Sequence, residues 1–298
     1  MVKPYTEQIF RTSYKDDFKD SDNYHRILFN SGRALQAREL TQLQTIIQSE
    51  IERFASNIFV DGAPVNPGGM SHYNDLPFIK IAATTPLPAD KTTLRNVILT
   101  GGQSGLKVKV VHAIAADTNT GDPETLYVQY LDAGDQADSD GFGGPVLATN
   151  PRVTPGETLT GNIGLSAVAF DVQTTNTSTN PAIGLGNLFE VNAGSFYVQG
   201  HFVFNENQII VTQKYAQNFT GEVGFKVTQD IVTSSDNEAL FDNQGATPNR
   251  SSPGADRYRI RLTLIKKTDL AADENYVRAA NIYLGVITSQ AKKVDGFN

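Results

Sequence analysis

The chain has 298 residues, a formal net charge of −7 and no cysteine. The acidic charge argues against nucleic acid as the main partner, because a phosphate backbone would be repelled. The lack of cysteine excludes disulfide bonds, thiolate metal sites and a thiol nucleophile. No run of about 18 apolar residues occurs, so no membrane partner is predicted. With 39% hydrophobic residues the chain can bury a core, and stability must come from packing or from association with other chains.

The first 29 residues are polar, with aromatic side chains at intervals. They predict an extended arm whose rings, among them Tyr5, Phe10 and Tyr14, dock on a partner. The alternative is an N-terminus that is partly disordered, as chain ends commonly are.

A strong helical pattern follows the arm, beginning near Asn30. Its apolar residues recur every 3.6 residues on average, which is the α-helical period. Ser31 is the predicted N-cap, and Asp61 and Gly62 are predicted to form the exit turn. A helix of about 25 residues would be roughly 37 Å long. The predicted apolar stripe consists of Leu40, Leu43, Ile47, Ile51, Phe54 and Ile58.

Beyond Gly62 the pattern changes to short strands separated by turn residues. The clearest alternation of apolar and polar residues lies at 258–265. Gly200 predicts a bulge or tight bend, and the polar residues 205–207 predict a turn that joins the segments on either side as a hairpin. The predicted strands are 78–82, 106–113, 125–131, 167–172, 188–191, 195–204, 208–213, 223–232, 258–265 and 281–287.

The expected fold class is therefore mainly β with one long N-terminal α-helix. The expected division is an arm and helix at 1–62, a first β-rich region at 63–175 and a second at 182–298. Each β-rich region is expected to be sandwich- or barrel-like. The low-complexity segments 132–144 and 173–181 are expected to be exposed loops.

No pattern in the sequence predicts an active site, a cofactor or a metal. The histidines are scattered, without an HxH or HExxH spacing. The glycine-rich segment 101–105 lacks the Lys and Ser/Thr of a P-loop, and no GxSxG elbow occurs. Carboxylates gathered from distant strands, as in a glycosidase, stay an open alternative.

The acidic segment 132–144 is rich in Asp and Gly, as calcium-binding loops are. With Gly141 at the sixth position of an EF-hand, Gln136 and Leu147 fall where carboxylates are needed, so the segment is not an EF-hand. A looser calcium or magnesium site there stays open beside an exposed loop tip.

A family resemblance touches both ends of the chain. It rests on three segments, 23–69 (NYHRILFNSGRALQARELTQLQTIIQSEIERFASNIFVDGAPVNPGG), 191–204 (VNAGSFYVQGHFVF) and 240–264 (LFDNQGATPNRSSPGADRYRIRLTL). These segments resemble virion structural proteins of tailed bacteriophages, in the style of the tail-fibre or baseplate-associated proteins of cyanophage-like myoviruses. Members of that family are often longer, so two alternatives stay open: the second β-rich region leads into a longer fibre, or the chain is a short version of such a protein.

The resemblance implies a non-enzymatic structural protein of the virion that attaches a tail fibre to the baseplate or forms part of the baseplate. Its implied partners are other tail and baseplate proteins, its implied place is the tail region after assembly in the host cytoplasm, and its implied state is a homotrimer. In one arrangement three copies bundle their apolar stripes on a threefold axis. In the other, the stripe packs on the chain's own β region while Arg33, Arg38 and Glu39 face a neighbouring virion protein.

Other functions stay open from the sequence. One is a receptor- or glycan-binding module of the tail fibre, since loops rich in Asn, Thr, Gly and Tyr suit sugar contacts, although the chain has no Trp. Another is a neck or other tail structural protein. A depolymerase is disfavoured because no β-helix repeat is visible.

Overall fold

The computed structural model describes residues 10–131, 153–242, 247 and 249–292. The fold is mainly β, as predicted, and 46% of these described residues lie in strands, which form four sheets. The strands are β1 Pro64–Pro67, β2 Met70–Lys80, β3 Ile98–Gly101, β4 Lys107–Ile114, β5 Thr125–Tyr130, β6 Thr158–Ile163, β7 Ser166–Asp171, β8 Ile183–Val191, β9 Gly194–Val198, β10 His201–Asn205, β11 Gln208–Gln213, β12 Gly221–Val232, β13 Phe241–Asp242, β14 Asn249–Pro253, β15 Arg257–Lys266, β16 Tyr276–Tyr283 and β17 Val286–Gln290.

The prediction of a long N-terminal helix is wrong. The helix, α1, spans Ala37–Ala55 and has 19 residues, about 28 Å at 1.5 Å per residue. Gly32 takes a left-handed backbone (φ 82°) and Arg33 donates to the carbonyl of Asn30, so a turn replaces the first predicted helical residues. The N-cap is therefore Gln36 and not Ser31, and it forms a capping box with Glu39.

The largest sheet has eight strands in the order β11-β8-β2-β5-β4-β3-β6-β7. Its neighbouring strands run antiparallel. Residues from β2 to β7 pack a first core beneath it, in which Ile79, Leu99, Leu126 and Leu159 are fully buried. The sheet draws β2 to β7 from the first predicted β-rich region and β8 and β11 from the second.

A second core joins two smaller sheets. One has the order β1-β9-β10 and the other β15-β12-β16-β17. Phe196 on β9 and Phe225 on β12 are fully buried, with ring centroids 4.9 Å apart. The alternation predicted for 258–265 is confirmed, since Leu262 and Leu264 on β15 face this core while Arg261 and Thr263 are exposed.

The predicted hairpin between 195–204 and 208–213 is wrong, although the strand at 208–213 and the tight bend at Gly200 are confirmed. The chain turns back at Gln199 and Gly200, both with positive φ, so β10 pairs with β9. The strand β11 instead pairs with β8 in the large sheet. The turn residues 205–207 predicted that the chain reverses direction there. Which strand β10 and β11 each pair with is decided instead by packing in the two cores.

A buried carboxylate explains the glycine-rich segment 101–105. Glu157 is 1% exposed and accepts hydrogen bonds from the backbone N–H groups of Gln103, Ser104 and Thr154 at 2.8–3.1 Å, and from the Ser104 hydroxyl at 3.0 Å. A Cβ on Gly101 would lie 2.6 Å from Oε2 of this carboxylate. Gly101 thus leaves room for the Glu157 carboxylate. This carboxylate binds the backbone N–H groups of the turn, as a nucleotide phosphate does in a P-loop.

Candidate association surface

The helix α1 is held to the rest of the chain chiefly by its polar side. Gln48 donates to the Gly200 carbonyl at 2.6 Å, and the Thr45 hydroxyl donates to Asp16. A Cβ on Gly200 would lie 2.9 Å from the Glu52 side chain, so the β9–β10 turn approaches the helix closely. The two buried apolar residues of α1 are Ile46 and Ala55.

The outward side of α1 carries the predicted stripe. Leu40 is 44% exposed, Ile47 54%, Ile51 39% and Phe54 71%, while Leu43 is half-buried. These five residues are called the apolar face below. Ile58, also predicted for the stripe, lies beyond the end of α1 and is half-buried. The helix therefore turns its polar side toward its own protein and most of its apolar side toward solvent, the reverse of an ordinary surface helix.

The charges of α1 that flank this face are engaged within the chain. Arg38 lies 3.5 Å from Asp17, and Arg53 lies 2.6 Å from Asp20 and 3.2 Å from Glu50. The Glu39 carboxylate accepts the backbone N–H of Gln36 at 3.0 Å as part of the capping box. Arg33, the third residue predicted to face a partner, is exposed in the turn before the helix.

The arm contacts the chain's own four-stranded sheet. The Phe10 ring packs edge-on against Tyr258 of β15 with centroids 5.3 Å apart, and the Tyr14 hydroxyl donates to Asp256 at 2.7 Å. That hydrogen bond raises the pKa of Tyr14. Tyr5 lies outside the described residues. Phe10 and Tyr14, which were predicted to dock on a partner, thus contact residues of their own chain.

A cleft of about 1090 Å³ lies between the arm, the sheet and the side of α1 that carries Thr45 and Gln48, and Leu40 of the apolar face lies at its border. On its floor, Gln199 joins Gln229 and Asn275 in a carboxamide network with distances of 2.8–3.0 Å. His201 and Tyr258 also line it. Charged side chains of both signs, among them Arg11 and Asp256, line it as well. Rings, carboxamides and charges around a cavity suit a polar ligand.

Another polar cluster joins the two cores and has structural partners. The Glu190 carboxylate, 8% exposed, accepts hydrogen bonds from Tyr73 at 2.9 Å, from Asn207 at 2.8 Å and from Arg95. Burial opposes ionisation of Glu190, but these hydrogen bonds and the guanidinium outweigh it and lower its pKa. Glu190 is therefore a buried carboxylate with structural partners, while the Arg95 side chain that pairs with it is 38% exposed.

Within the described ranges, no group of three or more His, Asp or Glu side chains could hold a metal ion. The acidic segment 132–144 lies outside those ranges. A buried lysine, Lys80, is 3% exposed and donates to Asn180 at 2.7 Å over the ring of Tyr215. Burial lowers its pKa.

Sequence reasoning missed two exposed rings on β10. Phe202 is 47% exposed and Phe204 66%, while Val203 between them is buried. The ring centroid of Phe202 lies 5.9 Å from that of Phe59, just beyond α1. Side chains alternate between the two faces of the strand within 201–205. The sequence does not show whether the face with Phe202 and Phe204 or the face with Val203 is buried, because that depends on the opposing sheet.

The pH dependence of stability is expected to involve His112 on β4. Burial, aided by the Arg95 charge, lowers its pKa to about 4, against about 6.5 unfolded. Between pH 6.5 and 4 the unfolded chain binds a proton that the folded chain does not, so stability falls as the pH falls through this window. The full loss from this residue is about 3 kcal/mol.

The check for His112 is urea unfolding at pH 7.5, 5.5 and 4.5 for the natural chain and for His112→Gln. The glutamine variant should lose less stability over this range than the natural chain. Equal losses in both would show that His112 does not carry the dependence.

These features define a class of protein: a mainly β chain that presents the apolar side of its helix to solvent. The chain belongs to the family described as "Domain of unknown function (DUF4815)", whose model matches residues 12–85 and 182–296, more than half of the chain. No curated protein and no solved structure matches it.

The family match leaves out residues 86–181, and this gap has a clear structural meaning. It contains β3 to β7, which form five consecutive strands at one end of the eight-stranded sheet. The matched part supplies β11, β8 and β2 at the other end, together with α1 and the second core. The apolar face therefore lies in the part shared with the family. No helix in the described ranges combines the length and apolarity needed to cross a membrane.

Proposed function

We propose that this chain is a non-enzymatic structural protein of a phage virion, which attaches a tail fibre to the baseplate or forms part of the baseplate. The observation that carries the proposal is the outward apolar face of α1. Most of the stability of a protein helix comes from packing its apolar side, and contiguous apolar patches on a soluble protein commonly mark interaction sites. A structural role needs such a surface and no reaction centre.

The partners in this proposal are other tail and baseplate proteins, and its location is the tail region of the virion. The β-sheets serve as the rigid, sandwich- or barrel-like body on which α1 is fixed. The arm supports this role, because Asp16, Asp17 and Asp20 hold it along the helix and leave the apolar face uncovered. The resemblance of three segments to tail-fibre and baseplate-associated proteins points in the same direction.

The experiment is electron microscopy of intact phage particles with a gold-labelled antibody against this chain. Label at the tail tip or at the fibre roots is the expected result. Label confined to the neck or head, or no label on intact and opened particles, would overturn the attachment role.

A matched pair of phage variants makes the labelling test specific to α1. The double variant Ile47→Ser, Phe54→Ser should give particles that lack the label. Leu165→Ser, which changes an exposed residue in the turn between β6 and β7, should leave labelling unchanged. Equal labelling of all three particles would show that the apolar face is not the attachment surface.

A receptor- or glycan-binding module of the tail fibre is the second candidate, and the cleft between arm, α1 and sheet is the observation in its favour. Its carboxamides can donate to and accept from sugar hydroxyls, and its rings can pack on a sugar face. Calorimetric titration of the purified chain with host surface polysaccharide tests this. Heat that disappears in Gln229→Ala supports binding in the cleft, and a flat titration with the natural chain rejects it.

A further inference from the structure

We propose that Lys80 and Asn180 form a covalent amide cross-link, in which Nζ of the lysine replaces the side-chain nitrogen of the asparagine and ammonia is released. The chain modifies itself in this step, and the step does not depend on the attachment role proposed above. The chain has no cysteine, so a covalent link between its side chains cannot be a disulfide.

The first requirement is a lysine amine that can lose its proton. Lys80 is the last residue of β2 and is 3% exposed. Burial lowers its pKa, although the charge of Asp122 offsets part of this effect. A desolvated lysine amine with a lowered pKa is a good nucleophile. Within the described ranges Lys80 has no carboxylate in ion-pair contact, unlike Lys91, Lys214 and Lys226.

Aromatic rings shield this amine from water. Nζ of Lys80 lies 4.0 Å from the centre of the Tyr215 ring, and that ring packs on Phe78 with centroids 4.9 Å apart. The Tyr215 hydroxyl lies 3.3 Å from that of Thr125, a fully buried residue of β5 that pairs with Lys80 in the sheet. The sheet therefore fixes both the lysine and the ring that covers it.

The second requirement is a carbonyl carbon held beside the amine. Nζ of Lys80 lies 2.7 Å from Oδ1 of Asn180, so the carboxamide carbon that carries this oxygen is next to the amine. The backbone N–H of Asn180 donates to the Thr177 hydroxyl at 3.0 Å, and that of Ala182 donates to Oδ1 of Asn176 at 3.1 Å. These bonds fix the segment, and fixed reactants can react far faster than free ones.

The step balances in atoms and electrons, and it needs no oxidant or reductant. The neutral amine attacks Cγ of Asn180, so the Nζ–Cγ bond forms and the Cγ–Nδ2 bond breaks. One amine hydrogen stays on the new amide, and the other moves to Nδ2, which leaves as ammonia. A carboxylate can relay this proton, and Asp122 is one whose charge acts on Lys80. Asn180 is exposed, so ammonia can leave into water.

The cross-link closes a loop that holds the strands outside the family match. Residues 81–179 lie within the loop and contain β3 to β7. The closed loop leaves the unfolded chain fewer conformations, as a disulfide across a long loop does. A pulling force between the two ends of the chain passes through the bond from β2 to the segment before β8, so β3 to β7 are not extended.

The test is the intact mass of the purified full chain in denaturant, together with a map of its tryptic peptides. The natural chain should be lighter than its sequence mass by one ammonia. Trypsin should leave Lys80 uncut and release a branched product in which 54–91 is joined to 153–214. Pro181 has no backbone N–H, so Asn180 cannot lose ammonia by cyclisation onto the next residue.

Matched variants show whether this pair carries the loss of ammonia. Lys80→Arg and Asn180→Ala should each have their full sequence mass, and Asn180→Ala, in an exposed segment, should fold even if arginine at position 80 does not. Lys107→Arg and Asn162→Ala change exposed residues of β4 and β6 and should keep the mass deficit. Full sequence mass for the natural chain, or a deficit that persists in Asn180→Ala, would reject the cross-link.

Discussion

Glu157→Gln is expected to lower the free energy of unfolding by about 3 kcal/mol or more. The carboxylate is 1% exposed and accepts from three backbone N–H groups and the Ser104 hydroxyl. A carboxamide of the same shape turns an NH₂ group toward some of these donors, so buried N–H groups lose their acceptor. A buried donor left without a partner costs about 1–3 kcal/mol, and more where the lost acceptor was charged.

Urea unfolding followed by circular dichroism measures this effect, with Glu206→Gln as the matched control. Glu206 is exposed in the turn between β10 and β11, so the same chemical change there should shift stability by less than about 0.5 kcal/mol. Similar midpoints for both variants would mean that Glu157 does not hold the β3–β4 turn.

Phe196→Ala is expected to cost about 3–5 kcal/mol of stability. The ring is fully buried between the two smaller sheets and packs against Phe225 at 4.9 Å. Removal of the ring loses the free energy gained by transferring a large apolar group out of water. It also leaves a cavity that the two sheets can close only in part. Aromatic contact with Phe225 adds to the loss.

Phe204→Ala is the control, because Phe204 lies on the neighbouring strand β10 and is 66% exposed. Its replacement should change the unfolding midpoint little. Comparable losses for the two variants would contradict the assignment of the core to the Phe196 side of the sheet.

The sequence predicted those parts of the fold that depend on neighbours along the chain. The 3.6-residue spacing identified the helix, alternation identified the strand at 258–265, and the turn residues 205–207 marked the start of the strand at 208–213. The start of the helix was misplaced at Ser31 because serine commonly caps helices, whereas the left-handed backbone of Gly32 forms a turn at this point. Only the capping box of Gln36 and Glu39 marks the true start.

The candidate surface was predicted in part. The residues of the stripe could be named from spacing, but spacing alone left two arrangements open, with the stripe on the chain's own β region or exposed. The exposure of Ile47 and Phe54 depends on contacts from distant parts of the chain, such as that of Gln48 with Gly200. No local pattern encodes such a contact.

The sequence by itself determined the secondary structure classes, the absence of thiol chemistry and the composition of the helical stripe, because each follows from residue type and local period. Only the tertiary structure decided which side of α1 faces solvent, that β10 pairs with β9, and that Glu157 fills the glycine-rich turn. Those outcomes depend on contacts between segments that are far apart in the chain. The spacing of apolar residues shows which residues share a face, but it does not show what that face packs against.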